Sequence, residues 1–149
     1  MKILLAVDDS KFSEAATQAM IRQMKPQGAE VCVMHVVEPL LLMPDFRPGT
    51  IEELQASEER FRKRGEELTA RAAEQLRAAG YNAHALVKEG DTRAEIIDHA
   101  AHWGADLIVL GSHGWKGMDR FLMGSVAEYV SRHAKCSVQI VRIKRHNEA

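Results

Sequence analysis

Leu107-Ile-Val-Leu110, then Gly111-Ser-His-Gly114 and, nine residues further, Gly124-Ser125-Val-Ala-Glu128 decide the reading of this chain. The first piece is a short unbroken apolar run with β-branched members, the composition of a strand buried on both faces of a parallel sheet. The last has the form of a capping box opening a helix. Between them, Gly111, Gly114 and Gly124 supply what a side chain would obstruct: left-handed dihedrals, and backbone able to approach a ligand closely. Strand, glycine turn and helix N-terminus in that order predict a mononucleotide phosphate site, because the first-turn N–H groups and the positive end of the helix dipole both favour an anion. Two roles compete for Ser125, capping its own helix or offering its hydroxyl to the phosphate. The structural alternative for the loop is tight turning without a ligand.

Working outward, apolar runs of strand length alternate with segments of helical period, which predicts βαβ units and an α/β fold with a parallel sheet. Ile3-Leu-Leu-Ala-Val-Asp8 is the first strand. Ser10 and Ser13 are both N-cap candidates for a helix that carries Ala16, Met20 and Met24 on one face and ends at Pro26 and Gly28. A second strand runs from about Glu30 to Val37, followed by an irregular connection with Pro39, Pro44, Pro48 and an exposed Leu40-Leu-Leu-Met43. From Ile51 to Ala79, the residues Leu54, Phe61, Leu68, Ala72 and Leu76 share one stripe of a long helix closed by Gly80. A third strand covers Asn82 to Lys88. Thr92-Arg-Ala-Glu95 is a second capping-box pattern, opening a helix that ends near Gly104. The fourth helix extends from Ser125 to about His133, and Val138-Gln-Ile-Val141 is the final strand.

The loop spells G-x2-G-x9-G-(S/T), and in this it resembles the ATP-binding signature of the universal stress protein family. Ile3 to Asp8 with Ser10 and Ser13 is similar to that family's opening strand and turn, Val33-Met-His-Val-Val37 to its second strand, and Ala105 to Gly114 to its fourth strand and loop. The resemblance spans nearly the whole chain. It implies a Rossmann-like, open five-stranded parallel sheet, ordered 3-2-1-4-5, with helices on both faces, as a single domain over residues 1–149. It also implies an ATP site, with or without Mg2+, formed by Ala6, Asp8, Val36, Gly111, His113, Gly114, Gly124, Ser125 and Val126, and a homodimer paired through the last strand. In that comparison Asp8 lies against the nucleoside, and the backbone around Val36 and Val37 contacts adenine.

Composition narrows the alternatives. Twenty basic and 21 acidic residues give a formal charge of -1, so nothing draws the chain generally to nucleic acid or an anionic membrane. A phosphate ligand has to be held locally. The opening apolar run stops at Asp8-Asp9, too early for a signal-peptide core, and no segment reaches the roughly 18 apolar residues of a membrane span, so the expected location is the cytoplasm. Cys32 and Cys136 stand apart in runs that look like strands and are expected to be buried free thiols.

Asp8 and Asp9 fall at the carboxyl end of the first strand, where ligands of open α/β sheets gather; the alternative for both is hydrogen bonding within the turn. His113 is the one histidine of seven in a functional position, either through its imidazole or through its backbone alone. His99 and His102 are expected on a helix surface. Lys116 and Arg120 are the loop's cations, and Trp115 and Phe121 either cover the ligand or meet a partner. No Walker pattern or G-x-G-x-x-G occurs, and no nucleophile with a base is marked. Nucleotide-dependent regulation is therefore the expected output, with slow ATP hydrolysis or a nucleotide-independent interaction module as rivals.

Overall fold

The computed structural model describes residues 1–114 and 122–143. The predicted roles of Trp115, Lys116, Arg120 and Phe121 fall outside the described residues. In chain order the elements are β1 (Lys2–Ala6), α1 (Lys11–Gln23), β2 (Glu30–Val37), a 3-10 turn (Leu40–Leu42), α2 (Ile51–Ala78), β3 (Asn82–Glu89), α3 (Thr92–Trp103), β4 (Leu107–Gly111), α4 (Ser125–His133) and β5 (Ser137–Val141). All four strand pairings are parallel and the order is β3-β2-β1-β4-β5.

Strand side chains alternate between two apolar cores, one on each face of the sheet. Ile3, Leu5, Val31, Val33 and Val109 meet Ala16 and Met20 of α1 and Ala73 and Leu76 of α2. Leu4, Cys32, Met34, Ile108 and Leu110 meet Ile96 of α3 and Val130 of α4. Burial on both faces explains the uninterrupted apolar runs. The strand order reverses at β1, so the connections leaving β1 and β4 part to opposite faces and open a crevice beyond their carboxyl ends.

Several local expectations resolve differently. Helix α1 is capped by Ser10, whose side chain accepts from Ser13 N–H, while Ser13 is buried and bonds back to Asp8. Helix α3 is capped by Asp91, not Thr92: Asp91 accepts from Ala94 N–H, and the Thr92 hydroxyl donates 2.9 Å to Glu38. The stripe of α2 is buried only toward its C-terminus, at Ala72 and Leu76, whereas Phe61 is 44% exposed. Leu40 is buried, while Leu41 and Leu42 are exposed as expected. Cys136 precedes β5 and is half-buried. His99 is half-buried, stacked near Trp103 with Nε2 3.8 Å from Cys32 Sγ; burial, helped by Lys88, lowers its pKa.

Candidate nucleotide site

A cleft of about 600 Å³ opens at the carboxyl edge of β1 and β2. Asp8, Val36, Gly114, Gly124, Ser125 and Val126 line it. A smaller pocket of about 60 Å³ shares Asp8, Val36, Gly114 and Val126 with the cleft and adds Ala6, Gly111 and His113. All nine residues expected at the site therefore converge, from four separate stretches of the chain.

The glycines act by close approach. Left-handed φ angles occur among the described residues at Gly28, Gly80, Gly90 and Gly104, and not at Gly111, Gly114 or Gly124, which corrects that part of the expectation. A Cβ on Gly111 would come within 2.7 Å of the Phe12 Cβ and 2.9 Å of its backbone. One on Gly114 would meet Asp8 Oδ2 at 2.8 Å, and one on Gly124 would meet His113 Cα and Ser112 O at 3.0 Å. Gly124 N–H also donates 2.7 Å to Ser112 O, so the loop returns to its own beginning before α4 starts.

Gly124, not Ser125, is the N-cap of α4, with no side-chain bond. Ser125 is the first helical residue; it is exposed and lines the cleft, so its hydroxyl is not consumed by capping. The first-turn N–H groups of α4 have no intrahelical acceptor, and Ser125 and Val126 of that turn line the cleft.

Asp8 serves the turn and the cleft together. Its Oδ1 accepts from the hydroxyls of Ser10 and Ser13, the latter at 2.8 Å, and its N–H donates to Ser13 Oγ at 2.7 Å. Asp9 receives a forked pair from Arg64 of α2, Nη2 at 2.9 Å and Nε at 3.2 Å. His113 turns its ring toward Phe12, with centroids 5.1 Å apart and Nδ1 3.1 Å from Ser112 Oγ. Its Nε2 is buried without a hydrogen-bond partner among the described residues, and the residue lines the smaller pocket, not the larger cleft.

The wall of the cleft that the sequence did not mark comes from α2 and its approach: Met43, Phe61, Arg64 and Leu68, together with His35 and Thr92. The one available signal was His35, a polar residue at an otherwise apolar position of β2.

The universal stress protein family model matches residues 1–142. The chain belongs to the universal stress protein family. Among curated members, the universal stress protein YxiE of Bacillus subtilis is 30% identical over 145 residues, covering 95% of this chain and 98% of that one. The structure of protein MJ0577 superposes with a TM-score of 0.84 at 23% identity, covering 97% of both chains. A universal stress protein family protein from Arabidopsis thaliana, solved with AMP bound, gives a TM-score of 0.71 at 16% identity, covering 97% of this chain and 92% of that one. At such identities the two structures speak for the fold alone. Like them, this universal stress protein has the expected order of strands, and among its described residues no helix is long and apolar enough to cross a membrane.

Proposed function

We propose that this universal stress protein binds an adenine nucleotide, ATP in the first instance, and that the bound nucleotide governs what the protein contacts. One observation carries the reading: Gly114, Gly124 and Ser125 of the G-x2-G-x9-G-S pattern meet Asp8 and Val36 around one cleft at the sheet's switch point, with Gly111 on the smaller pocket that shares its wall. Its volume falls within the range that holds small ligands and cofactors. Adenine would lie against β2 near Val36 and Val37, and the phosphates would run from Gly114 to the first turn of α4, where main-chain donors and the Ser125 hydroxyl meet negative charge. The related Arabidopsis protein with AMP bound supports the ligand class.

Asp8 Oδ1 and both oxygens of Asp9 already accept hydrogen bonds. No group of three His, Cys, Asp or Glu suited to a metal occurs among the described residues. This donor set does not suit a protein-held divalent ion; Mg2+ would arrive on the phosphates, keeping most of its water.

The family resemblance also supports a homodimer. Among the described residues strand β5 pairs with β4 alone, an edge position that a second copy could extend.

Titration calorimetry tests the reading. ATP is expected to give saturable heat that is lost in Gly124→Val, whose side chain would strike backbone at Ser112 and His113. No heat from the unmodified protein at millimolar ATP would overturn it and favour an interaction module. For that rival, the exposed Leu41, Leu42 and Ile51 are the favouring observation.

A further inference from the structure

We propose that His35 is a specificity-determining residue, whose Nε2 accepts a hydrogen bond from a ribose hydroxyl of the bound nucleotide. The inference rests on the nucleotide reading above and adds a residue and a chemical preference to it.

His35 lies on β2 on the same face as Val31 and Val33, both fully buried in the core under α1 and α2. An apolar residue would continue that pattern. The imidazole instead places Nδ1 2.8 Å from the carbonyl oxygen of Val7. A carbonyl only accepts, so Nδ1 carries the proton, and in the neutral ring Nε2 is left as a lone-pair acceptor.

The opposite side of the ring is held by α2. Gly65 sits in the middle of this helix, where glycine costs about 1 kcal/mol relative to alanine. A Cβ there would stand 2.7 Å from His35 Cδ2 and 3.6 Å from Cγ. The ring is thus fixed between the end of β1 and bare helix backbone. His35 lines the larger cleft, and its Nε2 is not among the buried atoms that lack a partner. No residue among those described bonds to it.

The cleft has two chemically different ends. The α4 end offers N–H donors and suits phosphate. The β1 end, following Val7, offers His35 Nε2 as an acceptor. Among the described residues Arg64 is the cation that lines the cleft, and it is forked onto Asp9. A lone-pair acceptor disfavours phosphate oxygens and matches neutral donors. Ribose presents hydroxyl donors, whereas the donor of adenine, its 6-amino group, would lie with the base against Val36 and Val37.

Calorimetry with ATP, 2′-deoxy-ATP and 3′-deoxy-ATP tests the assignment on the unmodified protein, His35→Asn and His35→Gln. Asparagine keeps a polar group near Nδ1 for Val7, while glutamine keeps one near Nε2. The unmodified protein should prefer ATP over at least one deoxy analogue by about 5- to 10-fold, the range of one neutral hydrogen bond. His35→Asn should bind ATP as weakly as that analogue, and His35→Gln should keep part of the preference. Equal binding of all three nucleotides by the unmodified protein would overturn the proposal, as would undiminished preference in His35→Asn. Binding of none of the three would overturn the nucleotide reading itself.

Discussion

Replacing Gly65 with alanine sets two effects of similar size against each other, and the structure decides which prevails. In the interior of the 28-residue α2, alanine is favoured over glycine by about 1 kcal/mol. The new methyl would lie 2.7 Å from His35 Cδ2 and 3.4 Å from Val87 Cγ1. Carbon atoms pack best at about 3.5–4.0 Å, so the imidazole would have to yield by roughly 1 Å. It cannot swing away without losing its bond to Val7 O, and overpacking of this kind costs about 1–3 kcal/mol. Gly65→Ala should therefore destabilise the protein by about 1 kcal/mol net, lowering Tm by roughly 2–4 °C for a chain of this size. In a His35→Ala background the obstruction is gone, and the same substitution should stabilise by up to about 1 kcal/mol. Urea denaturation of the four proteins measures a coupling of about 2 kcal/mol. A coupling below about 0.5 kcal/mol, or Gly65→Ala stabilising the unmodified protein, would refute the claim that the ring is pinned.

Three further outcomes follow from the same geometry. Ser125→Ala should leave stability within about 0.5 kcal/mol, because Gly124 is the cap and loss of a true capping side chain costs about 1 kcal/mol, yet weaken ATP several-fold by calorimetry; a full capping loss in denaturation would contradict this. Gly111→Ala should destabilise by about 3 kcal/mol, since its methyl meets Phe12 backbone, whereas Gly114→Ala meets only the tip of Asp8 and should cost less than about 1 kcal/mol while impairing the ligand; denaturant midpoints separate them. Cys32 is fully buried, and burial first, then the Glu30 carboxylate, push its thiol from 9.0 to about 11, with Lys88 opposing. The folded value lies above the unfolded one, so this contribution is intact below pH 9 and is lost between pH 9 and about 11, on the order of 3 kcal/mol in all. Cys32→Val should flatten that slope in denaturation at stepped pH, and the native thiol should resist alkylation at pH 8.

The strands themselves and the site's glycine loop were legible because their signals are local, whereas the order of the strands followed only from the family resemblance. A strand buried on both faces has to be apolar throughout, as Leu107 to Leu110 are, and a phosphate turn needs small residues at set spacings. The capping details were half legible. Asp91 and Gly124 take roles that the box patterns assigned one residue later, since Thr92 is drawn to Glu38 and Ser125 already has helical backbone. Positive φ at the loop glycines could not be distinguished from close approach, because both demand the absence of Cβ.

The sequence alone therefore determined the parallel α/β class, written in short-range periodicity and composition, and, through the resemblance of its motifs, the family and the position of the glycine loop. Only the tertiary structure decided what stands across the cleft from that loop. Helical period shows that Phe61 and Leu68 share a stripe, but not what that stripe covers. Arg64 reaches Asp9 across 55 positions of chain, and Gly65 leaves room for His35, through the path of α2 over the end of β2. That path is set by packing in the core, where no single stretch of sequence holds both partners.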